Sequence, residues 1–266
     1  MGDHGLHPSR ALGQNFVADP NTVRRIARLA GVGPGDHVVE IGAGLGSLTL
    51  ALAETGARVT AVEVDRYLVP VLRATTAAAA VTVIEGDALS LDWTALLGAA
   101  DRWTLVANLP YNIATPLVAD LLDTVPVIRR MVVMVQREVG ERLAAGAGTE
   151  AYGAVSVKVA YWATATIVGR VPASVFVPRP AVESVLVEIT RRNAPAVDPS
   201  RVGADELFAL VRKGFGQRRK MLRRSLEGLV GPDDFAAAGI DPTARAEELA
   251  VSDWGRLAAA AHARGD

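Results

Sequence analysis

Four consecutive residues, Asn108-Leu109-Pro110-Tyr111, have the types and order needed to hold an aromatic amine for reaction. The exocyclic nitrogen of adenine is a poor nucleophile because its lone pair is delocalised into the ring. Two neighbouring acceptors, the Asn108 side-chain oxygen and the Leu109 backbone carbonyl, can each take one N–H and draw that nitrogen towards tetrahedral geometry. The lone pair is then freed and aimed. Pro110 stiffens the turn, and Tyr111 offers a ring on which a base can stack. No general base is needed before transfer, because the proton becomes acidic as the nitrogen becomes cationic. Catalysis of this kind is positioning plus electrostatic complementarity in a water-poor pocket. An Asn-x-Pro turn alone is only a strand ending, so its meaning depends on what accompanies it.

What accompanies it is a cofactor constellation. The segment VVEIGAGLGSLT (38–49) carries Gly42, Gly44 and Gly46, which let the backbone turn sharply and approach a ligand without Cβ clashes. A dinucleotide fingerprint would need its third glycine at position 47, which is Ser47. Glu63 follows Gly42 by 21 residues and can accept two hydrogen bonds from a ribose diol, in nicotinamide and adenosylmethionine cofactors alike. Asp87, in IEGDAL, is placed to accept from an adenine amino group. A glycine turn or a strand-end acid has a purely structural explanation when alone. Three such features at consecutive strand ends point to a nucleoside-containing cofactor. A dehydrogenase fits poorly, because the loop pattern differs and no residue suits hydride-transfer acid–base work.

A third cluster is electrostatic. From Arg212 to Arg224, seven of thirteen residues are Lys or Arg and none is acidic. Arg218, Arg219, Lys220, Arg223 and Arg224 are the candidate phosphate contacts. Such a run is usually a solvated helix face, but beside a base-modifying site it suits RNA, whose folded forms are read by shape and phosphate position. On a helix, Leu222, Ser225 and Leu226 turn inward while the cations face solvent.

These residues must be carried by something. Asp19-Pro20 opens a helix that Gly31 closes. Strands at His37–Ile41, Arg58–Glu63, Val81–Glu85, Trp103–Ala107 and Met131–Gln136 alternate with helices at Ser47–Glu54, Arg66–Ala74 and Thr115–Leu122. That alternation predicts an α/β fold with a mostly parallel sheet covered on both faces. Its ligands bind beyond the C-terminal strand ends, near the switch in strand order. Later strands near Thr164–Arg170 and Ser184–Thr190 make an antiparallel edge pair. Ala154–Trp162 reads as strand by its alternating Val155, Val157, Val159 and Tyr161, or as helix by the order of elements. Asn193–Ser200 reads as a linker, which divides the chain into a catalytic domain over 1–192 and a helical domain over 201–266.

The 266 residues are half hydrophobic, with net charge −1 and no cysteine. This excludes a disulfide framework and a Cys nucleophile, and four scattered His support no metal site. The longest apolar runs are too short to span a bilayer, and residues 1–8 lack a leader pattern, so a cytoplasmic protein is expected.

Segments in order along nearly the whole chain carry a resemblance: LGQNF (12–16), VVEIGAGLGSLT (38–49), Glu63, GDAL (86–89), NLPYNIATPL (108–117), VQREVGERL (135–143), YGAVSV (152–157), FVPRPAVES (176–184) and GFGQRRKMLRRSL (214–226). Together they resemble the ribosomal RNA adenine-N6 dimethyltransferase family, in its small-subunit (16S) branch. NLPYNIATPL with FVPRPAVES is highly specific. The resemblance implies a class I methyltransferase (Rossmann-like) fold with a small helical C-terminal domain and S-adenosyl-L-methionine as cofactor. It implies that Asn15, Val17, Gly42, Glu63, Asp87 and Asn108 contact that cofactor, with Gln14 in the same segment, and that Tyr111 and Phe176 sandwich the target base. It also implies a small-subunit rRNA or pre-ribosomal particle as partner, dimethylation of two adjacent adenines during ribosome assembly, and a monomeric enzyme. Val17, Ala114 and Ala181 depart from the family's more usual Leu, Ser and Lys; the last removes one phosphate contact. The family's large-subunit resistance branch, and an assembly factor whose methyl transfer is secondary, are the rival readings.

Overall fold

The computed structural model describes residues 14–98, 100–110 and 112–265. In chain order the elements are β1 (Phe16–Val17), α1 (Pro20–Ala30), β2 (His37–Ile41), α2 (Ser47–Ala53), β3 (Arg58–Glu63), α3 (Val69–Thr76), β4 (Val81–Glu85), α4 (Trp93–Leu97), β5 (Trp103–Asn108), α5 (Ala114–Thr124), β6 (Ile128–Gln136), α6 (Arg137–Leu143), α7 (Ala154–Trp162), β7 (Ala163–Val171), β8 (Phe176–Val177), β9 (Ser184–Arg191), α8 (Ala204–Gly216), α9 (Leu222–Ser225), α10 (Pro232–Ala238) and α11 (Val251–Gly265).

Seven strands form the main sheet in the order β4-β3-β2-β5-β6-β9-β7. The β4-β3-β2-β5-β6 run is parallel throughout, and β9 joins β6 antiparallel. The strand order therefore switches between β2 and β5, where Ile41 pairs with Ala107. Gly42 and Asn108, the next residues on each strand, thus emerge side by side at the C-terminal edge, where such sheets bind ligands. Because helices cover the central strands, these read as runs of Val, Ile and Leu, and Val38, Val39, Leu105, Val106, Val132 and Val133 are all buried.

Capping starts α1 as its sequence demands. The Asp19 carboxylate accepts from the Asn21 and Thr22 N–H groups and the Thr22 hydroxyl, and Gly31 closes the helix in the left-handed conformation. Arg130 then ties this helix end to the sheet, donating to the Ala30 and Leu29 carbonyls while pairing with Glu188.

Ala154–Trp162 is helix. Buried Ser156, Val157, Val159 and Tyr161 are spread around its circumference, so no single face stands out in the sequence. Ser156 Oγ accepts from the Gly153 N–H and donates to the Arg142 carbonyl, fixing its start.

The expected division at 192/201 is corrected. Among the described residues, 141–165 cluster with 192–265, and the other unit comprises residues from 14 to 140 together with 166–191. The reason is apolar packing: Tyr152, Val157 and Tyr161 share a core with Leu207, Phe208, Leu222 and Trp254. The expectation of a helix across the basic run is also corrected. Helix α8 ends at Gly216, a turn follows in which Lys220 N–H donates to the Gln217 carbonyl, and α9 is a separate short helix. Within α8, Gly214 is needed because a Cβ on it would stand 2.6 Å from the Trp254 ring. Among the described residues, no helix is long and apolar enough to cross a membrane.

Candidate active site

A cavity opens at the switch between β2 and β5. Gln14, Asn15, Gly42, Gly44, Glu63, Asp87, Asn108 and Leu109 all line it, although they come from five separate stretches of chain. Val17 lines an adjoining cavity, which shares Gly42, Gly44 and Asn108 with the first. Tyr111 lies outside the described residues. Phe176 lines neither cavity. Its side chain is 3 % exposed and packs in the cluster containing Val23, Ile26, Met134 and Leu186, because β8 pairs antiparallel with β1. It offers no open stacking face in this structure.

Glu63 ends β3 as a buried carboxylate, 4 % exposed. Burial pushes its pKa up, and backbone hydrogen bonds work against that rise. The N–H of Gly44 donates to Oε2 at 2.7 Å and that of Asp65 to Oε1 at 2.9 Å. Each oxygen is thereby oriented and keeps lone-pair capacity for a further donor, which is what a ribose diol supplies. The glycine loop approaches closely because Gly42 and Gly44 take φ values of 73° and 58°, left-handed conformations that other residues rarely adopt.

Asp87 stands two residues beyond β4, with Oδ1 accepting from the Leu89 N–H and Oδ2 left to meet an amine. On β5, the Asn108 side chain donates from Nδ2 to the Asn15 carbonyl at 2.9 Å. The Leu109 N–H is tied to the Met134 carbonyl, and the Pro110 carbonyl accepts the Ile113 and Ala114 N–H groups that start α5.

Sequence reasoning missed the apolar lining at Phe16, Val64, Leu68, Ala88 and Ile113, and two acids beside it, one hydrogen-bonded to Glu63 and one on the adjoining cavity. Val64 and Ala88 each directly follow a strand-end acid, so the strand-end rule applied one residue further would have found them. The acids are Asp65 and Glu40. Glu40 lines the adjoining cavity, is 1 % exposed, and has its pKa raised to about 8, first by burial and further by the Glu63 charge. The nearby Thr49 hydroxyl opposes that rise more than the Glu63 charge adds to it, although it stands outside hydrogen-bonding geometry. Among the described residues, Glu40 Oε2 and Thr49 Oγ1 have no partner.

Comparison with known proteins decides which family built this site. The family profile for ribosomal RNA adenine dimethylases matches residues 7–262. The chain belongs to this family. Among curated relatives, the ribosomal RNA small subunit methyltransferase A of Cutibacterium acnes is 48% identical over 266 residues, covering 95% of this chain and 88% of its own. That of Streptomyces coelicolor is 46% identical over 265 residues, covering 96% and 91%. A dimethyladenosine transferase structure from Plasmodium falciparum superposes with a TM-score of 0.77 at 24% identity, covering 91% of this chain and 95% of its own. The 23S rRNA methyltransferase ErmE superposes with a TM-score of 0.72 at 24% identity, covering 93% and 99%. This dimethylase has the class I methyltransferase fold, and its cofactor is S-adenosylmethionine. The residues present fit that cofactor, with an oriented buried carboxylate for the ribose, Asp87 for the adenine amine and the glycine backbone between them.

Proposed function

We propose that the protein transfers methyl groups from S-adenosylmethionine to the N6 amine of adenines in small-subunit rRNA, dimethylating two adjacent adenines on a pre-ribosomal particle. The observation that carries this reading is the Asn108–Asn15 hydrogen bond. With Nδ2 committed to the Asn15 carbonyl, Oδ1 is the atom of the side chain that accepts from a substrate. It does so in the cavity that also holds Glu63 and Asp87.

S-adenosylmethionine supplies an electrophilic methyl on a sulfonium. Asn108 Oδ1 and the Leu109 carbonyl each accept one N6 hydrogen and direct the nitrogen lone pair at that carbon. The same two oxygens would stabilise the positive charge growing on nitrogen during transfer. The N6 proton then leaves to solvent. Tyr111 stacks on the base. A stacking role for Phe176 requires its ring to leave the cluster that covers it here.

The small-subunit assignment is supported by the names of the curated relatives. RNA contact is assigned to Arg219, Lys220, Arg223 and Arg224, which are exposed. Arg218 is given a different part, because its guanidinium pairs with Glu247 and donates to the Glu150 carbonyl. A cysteine-free chain suits a reducing cytoplasm, where we place the protein as a monomer.

Labelled cofactor incubated with undermethylated small subunits, followed by mass-spectrometric mapping, tests the reading. Label on adenine N6 of small-subunit rRNA is expected. Label found only on protein-free large-subunit rRNA would move the protein to the resistance branch.

A further inference from the structure

Residues 14–18 lie against both cavities and are held by interactions from several directions. Gln14 Nε2 donates to Asp65 Oδ2 at 2.9 Å. The Asn15 carbonyl accepts from Asn108. A Cβ on Gly44 would stand 2.9 Å from the Phe16 ring, so that ring rests directly on the glycine loop. Phe16 and Val17 pair with Val177 and Phe176, and the Ala18 N–H donates to the Val175 carbonyl at 2.8 Å.

Two of these anchors also reach the ribose-binding acid, Gly44 through its N–H on Glu63 Oε2 and Asp65 on Oε1, and of the two Asp65 is the one that holds a side chain of the segment by a hydrogen bond. The Asp65 backbone N–H donates to Glu63 Oε1 at 2.9 Å. Its Oδ1 accepts from the Tyr67 N–H, leaving Oδ2 for Gln14, and its carbonyl accepts from the Leu68 and Val69 N–H groups at the start of α3. Each polar group of Asp65 is therefore engaged, and its position is fixed by the turn that follows β3. A residue so fixed can hold the Gln14 side chain in place.

We propose that Asp65 is a positioning residue that retains the cofactor, by latching Gln14 of the cavity wall to the same turn that orients the Glu63 carboxylate. This rests on the S-adenosylmethionine reading of the cavity. Release of the spent cofactor then requires the Gln14–Asp65 hydrogen bond to open, and the latch governs the dissociation rate more than the association rate.

Exchanging amide and carboxylate between the two positions tests it. Gln14→Glu sets two carboxylates against each other. Asp65→Asn in the same chain supplies an amide donor to the new carboxylate while Oδ1 still serves the Tyr67 N–H. Dissociation of S-adenosylhomocysteine from the full-length protein is followed by surface plasmon resonance, with thermal unfolding to check that each variant folds. Gln14→Glu should speed dissociation about tenfold or more, and adding Asp65→Asn should bring the rate back to within about threefold of wild type. An unchanged rate in Gln14→Glu, or a double variant no slower than the single one, overturns the latch. Wild-type protein that does not bind S-adenosylhomocysteine at all overturns the cofactor reading itself, and the latch with it.

Discussion

The side-chain amide of Asn108 donates to the backbone carbonyl of Asn15, 2.9 Å away and 93 positions earlier in the chain. An asparagine that accepted and donated interchangeably could hold an adenine amine in either sense. With its nitrogen committed, its oxygen is directed, and the geometry that the amine must meet is set before the substrate arrives. The proposed catalysis depends on that preorganisation and on the cofactor bound beside it.

Glu63 should carry a measurable share of cofactor affinity. Glu63→Ala removes a charged acceptor from both ribose hydroxyls, a loss of roughly 1.5–3 kcal/mol. Calorimetry with S-adenosylmethionine reads it directly. Unchanged affinity would remove Glu63 from the ribose site, and tighter binding of NAD by the wild type would contradict the cofactor assignment.

Gly44 should tolerate nothing larger than hydrogen. Gly44→Ala combines a left-handed φ of 58° with a Cβ 2.9 Å from the Phe16 ring. A stability loss of roughly 1–3 kcal/mol is expected, with weaker cofactor binding as Phe16 is displaced. Thermal unfolding with and without S-adenosylhomocysteine separates the two effects. A variant matching wild type in both would show that residues 14–18 do not rest on the loop.

Much of this site is legible in the sequence because its parts are local. The G-x-G-x-G turn, the acid closing β3 and the Asn-Leu-Pro-Tyr run each occupy one strand end, and the sheet brings strand ends together. Pairings between distant segments are not legible in this way. Gln14 and Asp65 are 51 positions apart, and neither residue type announces the other. Gly214 is demanded by Trp254, forty positions later, and charge spacing alone carries no trace of that contact. Residues 141–165 likewise reveal their allegiance only through apolar partners beyond 192.

Cations of the basic segment should divide by role. Replacing Arg219 and Lys220 with Ala should lower the log–log salt slope of rRNA binding by roughly 0.7–0.9 per lost phosphate contact. Arg218→Ala should instead loosen the fold, since its ion pair with Glu247 is half-exposed and worth roughly 0.2–1 kcal/mol. Glu247→Ala should reproduce the Arg218→Ala change in thermal stability. An unaltered salt slope in the Arg219/Lys220 variant would return the segment to a merely solvated surface.

Glu40 should make stability depend on pH. Its carboxyl is raised from 4.5 to about 8, so the folded chain keeps a proton that the unfolded chain releases. That contribution is complete below the unfolded value and is lost as pH rises through the folded one. Cofactor-free protein should therefore lose stability from about pH 4.5 to about pH 8, and Glu40→Gln should flatten this part of the profile. Thermal melts across that range on both proteins check it, and parallel profiles would mean that Glu40 is ionised in the folded state.

The most direct measurement is the single-turnover rate of methyl transfer to undermethylated small subunits, taken with saturating cofactor so that product release cannot hide the chemical step. Asn108→Ala should nearly abolish transfer while S-adenosylmethionine affinity falls only modestly. Tyr111→Ala should slow it by the loss of stacking, roughly 1–3 kcal/mol, whereas Tyr111→Phe keeps the ring and most of the rate. An Asn108→Ala protein that transfers at near the wild-type rate, or a Tyr111→Phe protein as slow as Tyr111→Ala, would contradict catalysis by a directed amide oxygen and a stacking ring.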